Sequence, residues 1–356
     1  MATMLADEQM TRTTIEEWLR ETDERRLERL WKAADETRRR HVGDAVHLRG
    51  LIEISNYCVR QCGYCGLRAG NRQLQRYRMS QEEILDCARK AKEFGYGTTV
   101  LQAGEDYGLK TEWIAGVVRA IKRETGLAVT LSLGERPFED LAAWREAGTD
   151  RYLLRFETSD PELYALIHPD LPGKVSDRFA ILEALKELGY EAGSGVMIGI
   201  PGQTYQSVAA DIEAFRSLDL DMIGVGPYIA HPLTPLGDCS WGREIPGEDQ
   251  IPGDELTVYK VIALTRLACP DSNIPSTTAL ATINKEDGRE QGLMRGANIV
   301  MPNLTPPKYR VMYEIYPDKA CVNETADMCR GCLQGRIEGI GRHIGSGPGG
   351  RGDQTG

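Results

Sequence analysis

Three cysteines stand close together in a chain of 356 residues that has nine in all. They read Cys58-Val-Arg-Gln-Cys62-Gly-Tyr-Cys65, a CxxxCxxC spacing. Thiolates are the preferred ligands of iron–sulfur clusters. Three of them on one short loop can hold three irons of a cubane and leave the fourth iron open to an outside ligand, unlike the four-cysteine ferredoxin pattern that closes every iron. Zinc is the other reading, with its fourth ligand brought from elsewhere; no histidine lies in the loop, and the chain has only five. A second triplet, Cys321, Cys329 and Cys332, has CxxxxxxxCxxC spacing. It suits an auxiliary 2Fe-2S cluster with a non-cysteine or exogenous fourth ligand, a zinc site, or surface thiols with no metal, because spacing alone does not select the metal. Cys87 falls in a helical stretch and Cys269 at the end of one, where each reads as a packing residue. Cys239 lies in a loop and is given no role.

The first triplet must be carried by something rigid. From Leu48 onward the chain repeats strand, loop and helix. Apolar strand-like runs fall at 48–55, 98–103, 127–132, 151–155, 193–199, 221–226, 272–277 and 297–301, with helical stretches at 80–94, 110–124, 138–147, 176–189, 204–217 and 254–268. Phe94-Gly95, Ala147-Gly148 and Leu188-Gly189 have the form of helix stops. Eight strands alternating with helices predict an α/β fold, a (β/α)8 TIM barrel whose active site lies on the loops after the strands. The cysteines follow the first strand; Ala103-Gly104-Glu105-Asp106 follows the second, Gly134-Glu135-Arg136 the third and Phe156-Glu157-Thr158 the fourth. Gly199-Ile200-Pro201-Gly202, Gly226-Pro227 through His231-Pro232, Ser276-Thr277-Thr278 and Pro302-Asn303 complete the ring.

Around the barrel (46–305), residues 1–45 read as a helical extension. Its helix is expected over 11–40, with Thr14 and Glu17 in capping-box spacing and Leu27, Leu30, Trp31 and Ala34 on one face. Residues 306–340 form a C-terminal segment holding the second triplet, and 341–356, rich in Gly and Arg, are expected to be a disordered tail. The net charge of −10 argues against a nucleic-acid partner. No run of about 18 apolar residues predicts a membrane span, and Met1–Met10 lacks the apolar region of a signal peptide. A cytoplasmic location is therefore expected, where clustered cysteines bind metal rather than form disulfides.

With Tyr64 before its last cysteine, the first triplet resembles the signature of the radical S-adenosylmethionine (SAM) superfamily, a likeness covering about 48–301. That resemblance implies a 4Fe-4S cluster on Cys58, Cys62 and Cys65 with SAM on the open iron through its amino and carboxylate groups. Reductive cleavage then yields methionine and a 5′-deoxyadenosyl radical, while the protein orients SAM, excludes water and shields the radical. Ala103-Gly104-Glu105 resembles the family's GGE motif, with alanine for its first glycine; its backbone would pair with the SAM amino group. Glu157 and Arg178 resemble the residues that bind the ribose or amino group and the carboxylate, the latter suited to a guanidinium fork. Met197-Ile198-Gly199-Ile200-Pro201-Gly202 resembles the fifth-strand motif beside adenine, and Tyr64 would lie near the same ring.

Over about 40–335 the pattern is most similar to the HydE-type maturases of FeFe-hydrogenase. The likeness rests on Leu51-Ile-Glu-Ile-Ser-Asn-Tyr-Cys58, Cys65-Gly-Leu-Arg68, Arg76-Tyr-Arg-Met79, Val100-Leu-Gln-Ala-Gly-Glu-Asp106, Thr130-Leu-Ser-Leu-Gly-Glu135 and Asp150-Arg-Tyr-Leu-Leu-Arg155. It continues through Gly224-Val-Gly-Pro227, Asp271-Ser-Asn-Ile-Pro275 and Tyr313-Glu-Ile-Tyr-Pro317. The likeness implies work beside two other maturases and an electron donor, on a small iron complex carrying cysteine, carbon monoxide and cyanide. It also implies anion-site residues at Arg155, Thr277 and Thr278, cavity positions at Met222 and Tyr313, and Tyr316 near the reaction centre. Phe156 departs from a position that is often histidine in the family. Biotin synthase and methylornithine synthase are the alternatives within the same group, the C-terminal triplet being the feature that separates them; a non-catalytic Fe–S carrier is the alternative outside it.

Overall fold

The computed structural model describes residues 10–322 and 324–352; the side chain of Cys329 lies outside the described part. Two helices open it, α1 (Arg12–Arg20) and α2 (Glu24–Val42), where one was expected. The break has a local cause. Thr11, not Thr14, caps α1, accepting a hydrogen bond from Thr14 N, and Asp23 starts a fresh helix by accepting from Arg26 N.

The barrel strands are β1 (Ala45–Ser55), β2 (Thr98–Ala103), β3 (Ala128–Ser132), β4 (Arg151–Leu153), β5 (Glu191–Ile198), β6 (Met222–Pro227) and β7 (Ile299–Val300). They lie parallel, in the spatial order β6-β5-β4-β3-β2-β1-β7. The expected seventh strand, 272–277, is not a continuous one. It makes isolated parallel bridges from Asn273 to Met222, Ser276 to Val225 and Pro275 to Ile299, which join β6 to β7. Pro275 has no N–H to give a ladder. The crossover helices are α3 (Gln81–Glu93), α4 (Thr111–Thr125), α5 (Phe138–Glu146), α6 (Pro161–Ile167), α7 (Arg178–Glu187), α8 (Tyr205–Ser217), α9 (Glu255–Ala268), α10 (Thr278–Ile283) and α11 (Gly288–Met294). Two more, α12 (Pro307–Arg310) and α13 (Ala326–Gly339), form the C-terminal segment.

Strand side chains alternate between two faces. Ile52, Ile54, Leu101, Val129, Leu131, Tyr152, Leu154, Ile223 and Val225 point out and join the main core. Arg49, Leu51, Glu53, Val100, Gln102, Thr130, Ser132, Leu153, Arg155, Met222 and Gly224 point in and line a cavity of about 540 Å³. Two inward positions of β5 are glycine: a Cβ at Gly195 would lie 2.1 Å from Gly224 O and one at Gly193 2.7 Å from Met222 Cε. A TIM barrel is usually filled by bulky inward side chains; short, polar and absent ones leave this one hollow.

The tail expected to be disordered closes the opposite end of the barrel as far as it is described. The short strand β8 (His343–Ile344) pairs with β1 through Ala45 and Val46. Arg342 donates to the carbonyls of Asp44, Ala45, Leu293 and Ala297. Gly349 O accepts from Arg49 Nη2 (2.9 Å) and Asn273 Nδ2 (3.1 Å). Among the described residues no helix is long and apolar enough to cross a membrane.

Candidate active site

The register between β1 and β2 slips between Glu53 and Ser55, so the chain turns away just before the cysteine loop. That loop is tied by its backbone to four neighbours. Val59 N donates to Glu105 O (3.0 Å), Gly63 N to Ile167 O (2.7 Å), Leu236 N to Gly63 O (3.0 Å) and Gly66 N to Ile315 O (3.0 Å). Arg76 adds hydrogen bonds to the carbonyls of Asn56, Leu67, Arg68 and Asn71. Cys58 and Cys65 are half-buried and Cys62 is buried. Burial pushes all three thiols up, Cys65 to about 12, and the sulfurs add to it: Cys58 and Cys65 raise Cys62, and Cys58 raises Cys65. All three sit on one eight-residue stretch of loop. Among the described residues no three His, Cys, Asp or Glu groups converge tightly enough to chelate a single ion. A cubane does not ask for that, since its three thiolates sit on three different irons, and iron would hold as thiolates the sulfurs that burial otherwise keeps protonated. The donor set fits the cluster.

Of the residues expected to meet SAM, Gly104, Glu157, Tyr64 and Arg178 lie around this loop, whereas Glu105 and Ile198 do not face it. Gly104 touches the loop: a Cβ on it would lie 2.3 Å from Tyr57 O and 2.8 Å from Cys58 Cβ. Glu157 is buried and holds a left-handed backbone, φ 64°, uncommon outside glycine. Its N–H donates to Gly195 O, its carbonyl accepts from Met197 N, and its carboxylate lies 3.2 Å from Arg155 Nη2. Burial raises Tyr64 and Cys65, and the Glu157 charge adds to both. Arg178, at the start of α7, donates from Nε to Glu135 Oε1 (3.0 Å) and from Nη1 to Arg155 O, and Nη2 meets His168 Nε2. Glu105 turns the other way: Arg60 Nε (2.9 Å) and Tyr107 OH (2.8 Å) occupy its Oε1, and Glu135 N (3.0 Å) its Oε2. Ile198 is packed in the main core, so the apolar surface beside Tyr64 comes instead from Met197 and Ile200, with Leu163, Ile167 and Leu236. Gly199 holds φ 85°, and its Cβ would lie 2.2 Å from Gly253 Cα.

Sequence reasoning missed what locks these parts together. Arg60, inside the cysteine motif and 1% exposed, also reaches Glu135 Oε2 (2.6 Å). It joins the loops after β1, β2 and β3, and Glu135 passes the connection to Arg178. A buried arginine between two carboxylates is the signal, visible only once the loops are adjacent. His231 is also buried, packed where a Cβ on Gly66 would stand.

Behind the loop opens the cavity. Arg155, Met222, Thr277, Thr278 and Tyr316 line it. Tyr313 does not; it is 1% exposed and packed in the core. Neither does Phe156, which stacks outward on Phe179 (4.9 Å) and Phe215 (5.4 Å), so the departure at that position does not change the cavity wall. Cys321 and Cys332 lie on the wall of this same cavity. Cys329 belongs to α13, but its side chain lies outside the described residues.

Comparison with known proteins agrees with this geometry. The radical SAM superfamily profile matches residues 52–215. The chain is 47% identical over 343 residues to the [FeFe] hydrogenase maturase subunit HydE of Thermotoga maritima, covering 96% of this chain and 94% of that one. It is 31% identical to the 3-methylornithine synthase of Methanosarcina acetivorans over 78% of this chain and 75% of the relative. The crystal structure of methylornithine synthase (PylB) superposes with a TM-score of 0.80 at 26% identity, covering 97% of each chain. With cysteine loop, mouth and whole-length likeness in agreement, the chain belongs to the radical SAM superfamily, as a radical SAM enzyme of the HydE-type maturase family.

Proposed function

We propose that this enzyme cleaves SAM reductively at the 58–65 loop and acts, beside other maturases, in building the di-iron centre of FeFe-hydrogenase. Its substrate on this reading is a small iron complex carrying cysteine, carbon monoxide and cyanide. The observation that carries the reading is that two residues of the hollow interior touch the site: Ile315 O accepts from Gly66 N of the cysteine loop and Arg155 pairs with Glu157, on a wall shared with Thr277 and Thr278. A cluster on Cys58, Cys62 and Cys65 with SAM on its open iron would supply the electron that breaks the carbon–sulfur bond. The chain's own residues do the rest. Arg178 offers the SAM carboxylate a guanidinium already held by Glu135, and Glu157 presents a carboxylate from a fixed backbone. The backbone at Gly104 approaches without a side chain. Tyr64 and the Met197–Ile200 surface offer adenine an apolar resting place and keep water out. Arg155 offers positive charge where anionic ligands of the iron complex would sit.

Cys321, Cys329 and Cys332 would hold the auxiliary 2Fe-2S cluster, and a reducing cytoplasm with a low-potential electron donor is the setting this chemistry needs. The methylornithine synthase superposition supports a second reading, action on a small organic substrate. The anaerobically reconstituted enzyme, given SAM and dithionite, is expected to release 5′-deoxyadenosine, and Cys58→Ala to release none and to fail in supporting hydrogenase maturation in cells. A fully loaded cluster that yields no 5′-deoxyadenosine sinks the catalytic reading in favour of a cluster carrier. Normal maturation with Cys58→Ala sinks the maturase reading.

A further inference from the structure

One charged pair inside the cavity has no part in the site as described so far. Glu53 projects inward from β1 and Lys319 projects inward from the segment between α12 and α13. Lys319 Nζ lies 2.7 Å from Glu53 Oε1, with the side chains 7% and 3% exposed. Nζ also donates to Tyr313 O (3.1 Å), and Glu53 Oε2 accepts from Asn303 Nδ2 (3.0 Å). Both residues line the space that Arg155, Thr277, Thr278 and Tyr316 line. The segment carrying Lys319 crosses the cavity wall under local constraint. Asp318 and Cys321 hold φ 54° and 62°, Ala320 N donates to Thr282 Oγ1 (3.0 Å), and Arg310 Nη1 holds Cys321 O (2.8 Å).

A buried ion pair is weak evidence for stability, because stripping water from both charges offsets most of their attraction. Here the pair is also not sealed in a core; both residues line an open cavity. The ammonium has three donors, of which two are occupied by Glu53 and Tyr313. Nζ also stands 5.2 Å over the Tyr313 ring, and the remaining hydrogen is the one that an incoming anion would take up. Lysine is a compact point charge on a flexible stem, so its head can shift toward an incoming anion without moving the segment.

We infer that Lys319 is a further substrate-binding residue, a cation delivered into the cavity from the C-terminal segment, and that Glu53 opposes it by competing for the same ammonium. The ligand class is a small anion, or an anionic metal complex presenting linear ligands. This rests on the reading of the cavity as the substrate chamber, and it adds to Arg155 and Arg49 a cation carried by a different structural element.

The competition yields effects of opposite sign, which a structural role would not. Thiocyanate, a linear monoanion with an infrared-active stretch, serves as the probe on cluster-loaded, SAM-bound protein, so that the open iron is already taken. Lys319→Met is expected to weaken its binding about tenfold, the loss of roughly one charge-assisted hydrogen bond. Lys319→Arg should keep most of it. Glu53→Gln should tighten it by several-fold, since a neutral amide no longer competes for the ammonium. Weakening by both Lys319→Met and Glu53→Gln overturns the proposal and leaves the pair as scaffold. Unchanged binding in Lys319→Met overturns it as well. Failure of thiocyanate to bind the wild-type cavity at all counts instead against the chamber reading on which the proposal stands.

Discussion

At Gly104 there is no room for a side chain, because the end of β2 lies directly against the turn that begins the cysteine loop. A methyl group there would stand 2.3 Å from Tyr57 O, a backbone atom that cannot swing aside. Gly104→Ala should therefore push the Cys58 turn out of place and lower the iron and sulfide bound after anaerobic reconstitution. Gly116 is the control: it lies inside α4 with no atom within 4 Å of an added Cβ. Gly116→Ala should load normally and unfold about 0.5–1 kcal/mol harder, from reduced backbone entropy and better helix propensity. Equal loss of iron in both variants would mean that general destabilisation, not the Gly104 approach, governs loading. Arg60 acts over a longer reach. Its two carboxylate partners are contacted from different nitrogens, Nε to Glu105 and Nη2 to Glu135, and a lysine has only one head with which to meet both. Arg60→Lys should leave the cysteine ligands intact yet weaken SAM binding, through slack passed from Glu135 to Arg178. Unchanged SAM affinity measured on the loaded enzyme would show that this chain of charges is scaffold alone.

At the scale of the element, the helices with good caps and the strands with long apolar runs were legible before any coordinates. Ser80 with Glu83 makes a full capping box at the start of α3, and β1 is buried along nearly its whole length. The cysteine triplet was legible for a different reason, since ligand spacing along a loop is local information. What was hidden depended on partners far along the chain. The 272–277 segment reads as a strand but contributes only isolated bridges. Residues 345–350 read as a low-complexity tail because glycine carries no hydrophobic pattern. Yet glycine is what the place demands: a Cβ at Gly345 or Gly349 would stand 2.7 Å or 2.5 Å from the His47 ring. Lys319 and Glu53, 266 positions apart, could not be paired from spacing. Nor could Asp211, in α8, be seen to hold the loop after β4. Its Oδ1 accepts from Ser159 N and Ser159 Oγ, and burial lifts its carboxyl to about 7 despite those bonds. Unfolded, the same group titrates near 4. The folded state thus keeps a proton that the unfolded state gives up, so this contribution to stability is complete below about pH 4, declines as pH rises to about 7, and is gone above that. Asp211→Asn should flatten this part of the profile, and denaturant titrations from pH 4.5 to 8 would reveal it. A parallel pH dependence in wild type and variant would assign the titration to another group.

The whole molecule is a hollow barrel, and a hollow barrel must be closed at both ends if a radical is to be kept from solvent. At the mouth the loops after the strands and the 311–322 segment do this. At the floor the work falls to the last described residues. There Arg342 satisfies four backbone carbonyls from two elements and their flanks, β8 adds a partner to the start of β1, and Gly349 O takes hydrogen bonds from Arg49 and Asn273 inside the barrel. Ending the chain at Ile340 removes all of these together. Arg49 would keep a buried guanidinium whose pKa burial already holds down at about 9, now without its carbonyl. Arg342→Ala alone leaves the four carbonyls without that donor, and about 2–4 kcal/mol of lost stability is expected from buried polar groups left unsatisfied. The truncated enzyme should lose more, and its deuterium uptake should rise over 45–50, where β8 shields β1, while the helices α6 and α7, between β4 and β5, stay as protected as before. Uptake unchanged over 45–50 would show that the floor is closed by the strands themselves, and that the glycine-rich tail is a passenger on a barrel already sealed.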